Sequence, residues 1–124
     1  MIIACFYDIM GMNLGGFNMS DYIQIQTACN KENIADEIIN KLLDERLIAC
    51  AQKVNINSSY VWQGKRENEN EILIIMKTRK SLFEEVKRQI LFIHDYDLPE
   101  IVATDLTCGL EDYFKWIDEN TIEE

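Results

Sequence analysis

Residues 67–78 read ENENEILIIMKT, and the apolar run from Ile72 to Met76 within them decides the fold. A strand that is apolar on both faces is expected at the centre of a sheet that is covered on each side. The preceding segment, IACAQKVNINSSYVW at residues 48–62, places its apolar residues on one parity, and QGK at residues 63–65 supplies a turn. The two segments therefore predict a long antiparallel hairpin.

Strands and helices are predicted on both sides of this hairpin. Residues 22–27 alternate apolar with polar, which is typical of a half-buried strand. A last strand is predicted at residues 101–106, and apolar residues at helical spacing predict helices at residues 33–47, 83–93 and 110–117. The order β-α-β-β-α-β plus a terminal helix indicates an α+β, ferredoxin-like sandwich with a four-stranded antiparallel sheet and both main helices on one face.

Polar residues stand where the two main helices are expected to begin. Asn30 precedes the first helix and can accept a hydrogen bond from its first turn. Ser81 and Glu84 fit a capping box at the start of the second. We therefore predict side-chain caps at both positions.

The first nineteen residues, MIIACFYDIMGMNLGGFNM, are apolar and almost uncharged. They lack the positive region that a secretory signal needs, and their apolar stretch is broken at Asp8 and Gly11 and is too short to span a bilayer. We predict that residues 1–19 form a disordered N-terminal extension, with organelle targeting left open, and that residues 20–124 form one domain.

The chain is strongly acidic. Twelve lysines and arginines stand against 22 aspartates and glutamates, so the formal net charge is −10. Such a field repels phosphate backbones and anionic lipid, which argues against nucleic acid and membranes as partners. It attracts cations, although the charge alone does not specify a site.

Four cysteines occur in the chain without a Cys-x-x-Cys pair. This spacing disfavours a structural zinc site, and a secreted chain of this size would usually carry a denser disulfide framework. We therefore expect free thiols and a cytoplasmic location.

The sequence offers little that would make an enzyme. It has a single histidine, no phosphate-binding glycine-rich loop and no His-Glu-x-x-His motif. One histidine with scattered carboxylates has no recognisable spacing for a nucleophile, a base and an orienting group. We expect a non-catalytic protein.

The predicted sheet is incompletely covered by this chain. Two helices cover one face, but the strand at residues 72–76 is apolar on both, and the terminal helix is too short to cover the rest. The hairpin strands also look longer than the usual five or six residues, and unpaired edges of that length invite another chain. A closed homo-oligomer is therefore predicted.

Four motifs point to a known family. They are RLIACA at residues 46–51, YVWQGK at 60–65, ENE at 69–71 leading to KT at 77–78, and H-x-Y-x-x-PEI at 94–101. In this order they closely resemble the CutA1 family of divalent-cation tolerance proteins, over residues 22 to about 117. The resemblance implies a ferredoxin-like subunit in a tight homotrimer, with hairpin strands pairing across subunits, and a role in tolerance of copper and other divalent cations.

The same resemblance supplies metal-ligand candidates. Copper binding in the family is attributed to a cysteine near the end of the first strand and to one or two histidines before the Tyr-x-x-Pro-Glu motif. Here Gln26 occupies the strand position with Cys29 three residues later, and Ile93 takes the first histidine position. His94 and Cys29 are therefore the candidate ligands for copper or another divalent cation. The alternatives are a hydrogen-bonded, helix-terminating role for His94 and a loop thiol for Cys29.

The motifs also supply candidates for a cleft and a subunit interface. Glu69 and Glu71 share one strand face, so we expect them to pair with a base such as Lys77 or with a bound cation. A tryptophan beside the turn glycine offers apolar surface to a neighbouring subunit. The cleft or ligand candidates are Trp62, Lys65, Glu69, Glu71, Lys77, Tyr96 and Glu100, and the trimer-interface candidates are Tyr60, Trp62 and Trp116.

The function that these observations favour is that of a non-catalytic, cytoplasmic, CutA1-like homotrimer in divalent-cation or copper tolerance. The alternative is a sensor or scaffold similar to the trimeric PII signalling proteins, which would bind a small molecule or a protein partner in the clefts between subunits. A third interpretation is a purely structural assembly module.

Overall fold

The computed structural model describes residues 20–123 and has an α+β fold, with a four-stranded antiparallel sheet and three α-helices, as predicted. No helix within these residues has the length and apolarity needed to cross a membrane. The predicted extension at residues 1–19 lies outside the described residues. The elements are β1 (Tyr22–Cys29), α1 (Glu32–Asp44), β2 (Cys50–Trp62), β3 (Lys65–Arg79), α2 (Phe83–Ile93), β4 (Ile101–Asp105) and α3 (Glu111–Glu119).

The sheet has the strand order β2-β3-β1-β4, so β3 lies between β2 and β1. Strand β1 pairs with β3 only from Cys29 opposite Ile72 to Tyr22 opposite Arg79. Beyond this point β3 pairs with β2 alone. Residues 56–71, which we call the hairpin arm, therefore extend past the four-stranded part of the sheet by roughly 20 Å.

Helices α1 and α2 cover one face of the sheet. Ile25, Ile74 and Met76 are fully buried on this face, and they pack in one core with helical residues such as Ile38 and Ile90. Successive strand residues point to opposite faces, so Leu73 and Ile75 belong to the second face, where they are only partly buried. The prediction that the central strand is apolar towards both faces is confirmed.

Helix α3 covers one end of the second face. The Phe114 ring stacks on Tyr22 with centroids 4.7 Å apart, and the Tyr22 hydroxyl donates to Asp118 at 2.8 Å. Farther along this face, Val54 and Val102 remain 44% and 48% exposed. Within the described residues, part of the face therefore lacks the cover that its apolar side chains would favour.

Neither predicted side-chain cap forms. Helix α1 has its N-cap at Lys31, one residue beyond Asn30, and no side chain caps it. Ser81 lies in a short 3₁₀ helix, Lys80–Leu82, and the N-cap of α2 is Leu82. Both predictions are wrong because the N-cap of each helix lies one residue beyond the predicted polar residue. In α2 the 3₁₀ turn also precedes the N-cap.

The cysteines differ from the expectation at one position. Cys29 and Cys50 are free thiols, whereas Cys108 is disulfide-bonded. The prediction that the cysteines are free thiols throughout is therefore wrong at Cys108. A disulfide removes one of the arguments for a cytoplasmic location.

The hairpin closes through two residues, Gln63 and Gly64, between the paired residues Trp62 and Lys65. Both have positive φ, 51° at Gln63 and 80° at Gly64. Positive φ at both central residues is the requirement of the type I′ turn, whose twist matches that of the flanking strands. The turn predicted at residues 63–65 is confirmed.

We predict that Gly64→Ala lowers the free energy of unfolding by about 1 kcal/mol, because alanine is strained in the left-handed region. A Cβ atom at this position would meet nothing within 4 Å, so the penalty is conformational and not steric. Gln63→Asn should instead raise stability slightly, because asparagine tolerates positive φ better. Urea denaturation measures both, and equal stability of Gly64→Ala and the parent chain would contradict the turn assignment.

Candidate functional site

A cavity of about 620 Å³ lies between the hairpin arm and the loop that follows α2. Its walls combine aromatic, hydroxyl and carboxylate side chains. They are formed by Ala28, Ser58, Ser59, Tyr60, Val61, Trp62, Glu69, Glu71, Tyr96, Asp97, Leu98 and Glu100. The structure thus brings together Trp62, Glu69, Glu71, Tyr96 and Glu100 from the predicted cleft set.

The charged groups of the cavity all have the same sign. Glu69, Glu71, Asp97 and Glu100 contribute carboxylates, and among the described residues that line the cavity there is no lysine, arginine or histidine. A concave surface that carries one sign of charge focuses the field and raises the local concentration of counter-ions. The cavity is therefore electrostatically suited to cations.

Neutral donors hold two of these carboxylates in place. The Tyr60 hydroxyl donates to Glu69 Oε1 at 2.7 Å, and the Tyr96 hydroxyl donates to Glu71 Oε2 at 2.7 Å. Hydrogen bonds to a charged acceptor are short and strong. The tyrosines therefore orient the carboxylates without cancelling their charge.

A third carboxylate is held from β1. Gln26 Nε2 donates to Glu100 Oε2 at 2.8 Å. Gln26 stands at the strand position where the family resemblance leads one to expect a metal-binding cysteine. In this chain the side-chain amide at that position instead forms a hydrogen bond that holds a carboxylate of the cavity in place.

Both phenols of the cavity are stabilised in the protonated form. The hydrogen bond to Glu69 is the main factor that raises the pKa of Tyr60 to about 12. Burial, followed by the hydrogen bond to Glu71, raises the pKa of Tyr96 well above its usual range. The two hydroxyls therefore remain donors throughout the neutral range.

The two predicted basic residues of the cleft lie elsewhere. Lys77 pairs with Cys50 and Gln24 in the sheet, and its Nζ donates to Gln52 at 2.9 Å. Lys65 lies at the tip of the hairpin arm opposite Trp62. Neither lines the cavity.

The predicted pairing of Lys77 with Glu69 or Glu71 is therefore wrong. These residues share a strand face, but Lys77 lies six positions beyond Glu71 along β3, a distance of roughly 20 Å. The acidic residues satisfy their hydrogen bonds with tyrosines instead. The alternation of side chains along β3 correctly predicted that these residues share a face, but it did not predict the distance between them.

The three interface candidates separate into two groups. Tyr60 and Trp62 lie on the hairpin arm and line the cavity, with part of each side chain exposed. Trp116 lies on α3, where its ring contacts Tyr113 at a centroid distance of 5.4 Å. Tyr113 is next to Cys50, at the far end of β2 from the arm. Any surface that used all three would have to extend along the whole second face.

His94 has no free nitrogen for a metal. Its side chain is 0% exposed, and Nε2 lies 2.8 Å from the carbonyl oxygen of Ala28. Its other nitrogen, Nδ1, accepts the backbone N–H of Tyr96 at 3.1 Å. The structure thus gives His94 the hydrogen-bonded, helix-terminating arrangement that was the alternative to metal ligation.

Cys29 is equally enclosed. It is fully buried, and its Sγ donates to the carbonyl of Lys31 at 3.6 Å. Burial raises the pKa of the thiol, which disfavours the thiolate that a soft metal ion requires. Cys29 resembles a buried structural thiol more than a metal ligand.

The described residues do not form a chelating metal site. Between residues 20 and 123, no group of three or more His, Cys, Asp or Glu side chains is placed so that it could hold a metal ion. The copper ligand set implied by the resemblance does not fit this subunit, since His94 and Cys29 are both buried and hydrogen-bonded. The cavity carboxylates could attract a cation without enclosing it.

Several cavity residues were missed in the sequence. Ser58 could have been found, since it shares its parity with Tyr60 and Trp62 on the predicted strand. Asp97 and Leu98 lie in the loop that follows α2, whose path no sequence pattern predicts. Gln26 does not line the cavity, but it holds Glu100, and finding this contact required the register between β1 and β4, which depends on tertiary pairing.

Comparisons with known proteins are consistent with this geometry. The family profile described as "CutA1 divalent ion tolerance protein" matches residues 23–120. The divalent-cation tolerance protein CutA of Pyrococcus horikoshii is 44% identical over 87 residues, which cover 70% of this chain and 85% of that protein. The Thermus thermophilus protein of the same name is 37% identical over 91 residues, covering 73% of this chain and 88% of that protein.

Solved structures give the same result. The crystal structure of CutA1 from Pyrococcus horikoshii matches with a TM-score of 0.77 at 39% identity and covers 82% of this chain and 99% of that one. CutA1 from Oryza sativa matches with a TM-score of 0.80 at 28% identity, covering 87% of this chain and 100% of that one. The fold of the described residues is therefore that of these proteins.

We predict that Glu69→Gln lowers the pKa of Tyr60 from about 12 towards its usual value of 10.0, since the carboxylate that disfavours the phenolate is removed. The ultraviolet absorbance of tyrosinate during an alkaline titration measures this shift. The difference should vanish in a Tyr60→Phe background. An identical titration of Glu69→Gln and the parent chain would contradict the assigned hydrogen bond.

Proposed function

The chain belongs to the CutA1 divalent ion tolerance protein family, and on this basis we propose that it is a non-catalytic homotrimer that contributes to tolerance of divalent cations. The cations are held weakly by the acidic cavity, at the cleft between subunits. The observation that carries the proposal is the presence of four carboxylates on a cavity wall that has no basic residue among the described lining residues.

Three features of the subunit support self-association. The second face of the sheet leaves Val54 and Val102 about half exposed. Strands β2 and β4 are the two edges of the sheet, and unpaired edges favour pairing with another chain. The hairpin arm extends beyond β1 with Trp62 partly exposed near its tip, and tryptophan is enriched in subunit interfaces. A ring of three copies would give each arm a neighbour to contact.

The chemistry of the cavity favours hard cations over copper. Carboxylate oxygens suit magnesium, calcium and manganese ions, whereas Cu(I) selects thiolate, thioether and imidazole ligands. Since no chelating group forms among residues 20–123, a bound cation would keep much of its water shell. We therefore expect weak binding that depends on ionic strength.

A second candidate function is supported by the size and walls of the cavity. About 620 Å³ lies within the usual range for small-molecule sites, and Trp62, Tyr96 and Leu98 supply apolar surface beside the carboxylates. A sensor or scaffold similar to the PII proteins would bind a small molecule or a partner there. We continue to propose a cytoplasmic location on the sequence arguments other than free thiols, since Cys108 is disulfide-bonded.

Isothermal titration of the full chain with Mn²⁺ and with Ca²⁺ tests the cation proposal. The variant Glu69→Gln/Glu71→Gln should lose about tenfold or more in affinity, because two of the carboxylates that create the field are removed. Cu(I) should bind no more tightly to the parent chain than to His94→Asn. The titration should be run at low ionic strength, where exposed charges are least screened.

The matched control is Glu37→Gln/Asp44→Asn, which removes the same two charges from exposed positions on α1. This variant should retain the affinity of the parent chain. Equal losses in both variants would show that net charge and not the cavity attracts the ions. Absence of Mn²⁺ and Ca²⁺ binding to the parent chain would contradict cation binding and favour the small-molecule alternative.

A further inference from the structure

We infer that His94 is a positioning residue that fixes the geometry of the cavity, and that it does so through Tyr96 and Glu71 without ligating a metal itself. The inference rests on the proposed role of the cavity in cation binding. It reassigns the one histidine of the chain, which sequence comparison alone would place among the metal ligands.

His94 connects two walls of the cavity. Its backbone N–H donates to Ile90 at 2.8 Å, and with φ −66° and ψ 141° it ends α2. From this point the ring extends inwards to the carbonyl of Ala28, near the end of β1. Ala28 and Tyr96 both line the cavity. One buried imidazole therefore holds the end of β1 and the loop that follows α2 together.

The hydrogen-bond pattern defines the tautomer. A carbonyl oxygen can only accept, so the proton must be on Nε2 to bond with Ala28. A backbone N–H can only donate, so Nδ1 must offer its lone pair to Tyr96. The only nitrogen lone pair that could bind a metal is thus already used. The carboxylate of the adjacent Asp95 lies 3.9 Å from Nδ1 and forms an ion pair with Lys31.

The bond at Nδ1 continues into the cavity. It fixes the backbone of Tyr96, whose ring packs against the imidazole at a centroid distance of 4.6 Å and an angle of 61°. The Tyr96 hydroxyl then donates to Glu71 at 2.7 Å. Each link is a single defined contact, so this series of contacts from His94 through Tyr96 to Glu71 couples the position of the imidazole ring to the position of a carboxylate in the cavity.

Three substitutions separate positioning from ligation. His94→Asn keeps a side-chain oxygen near the position of Nδ1, where it can accept a hydrogen bond from the backbone N–H of Tyr96. Asparagine adopts this geometry readily in turns. His94→Gln keeps an amide donor near the position of Nε2. His94→Leu keeps neither hydrogen bond. None of the three supplies an imidazole to a metal.

The first readout is independent of cation binding. Fluorine NMR of the full chain labelled with 3-fluorotyrosine reports the environment of Tyr96, whose resonance is assigned with Tyr96→Phe. We expect the resonance to stay near its parent position in His94→Asn and to move towards that of free 3-fluorotyrosine in His94→Leu. An unchanged resonance in His94→Leu, with circular dichroism showing an intact fold, would overturn the inference.

The second readout is Mn²⁺ affinity in the same variants. We expect His94→Leu to lose about tenfold and His94→Asn to remain within about threefold of the parent chain, because asparagine keeps the acceptor that fixes Tyr96. His94→Gln, which keeps only the bond to Ala28, should fall between the two. Equal loss in all three variants with an unchanged Tyr96 resonance would identify His94 as a ligand and overturn the inference. If the parent chain itself binds no Mn²⁺, the proposed function fails, and the fluorine resonance alone decides the role of His94.

Discussion

The core, the hairpin arm and the cavity all follow from the unequal pairing of β3. Over its second half β3 has a partner on each side, and over its first half it pairs with β2 alone. The buried half carries the apolar run that anchors both helices, and the unsupported half becomes the hairpin arm. The cavity exists because the arm extends past the end of β1 and meets the loop that follows α2. A shorter hairpin would leave the core intact and remove one wall of the cavity.

The arm also carries two neighbouring carboxylates that line the cavity. Glu69 and Glu71 stand two residues apart on one strand face, roughly 7 Å, where like charges repel by about 2 kcal/mol at an effective dielectric constant of 20. Each of the two carboxylates accepts a hydrogen bond from a tyrosine, and such a bond favours the charged form of the acceptor. The tyrosines can therefore offset the repulsion while the charge remains. This combination leaves a cation-attracting surface that the subunit does not neutralise.

Local patterns predicted the fold better than they predicted the site. Periodicity located all three helices and the hairpin, because the apolar spacing from Ile72 to Met76 and along α1 reflects burial that the structure confirms. The predicted helix caps at Asn30 and Ser81 do not form, because each N-cap lies one residue farther along the chain. The site depended on tertiary pairing: Lys77 shares a face with Glu71 but lies too far along β3, and Gln26 meets Glu100 only through the register of β1 with β4. His94 was conspicuous as the one histidine, yet its partners are backbone groups that no side-chain pattern reveals.

We propose that further copies of the chain complete the arm and the exposed second face. Multi-angle light scattering of the full chain, measured over a dilution series, tests it most directly. We expect a single species of about three times the 14.5 kDa chain mass that persists on dilution, as is usual for a closed ring. A stable, well-folded monomer at all concentrations would contradict it.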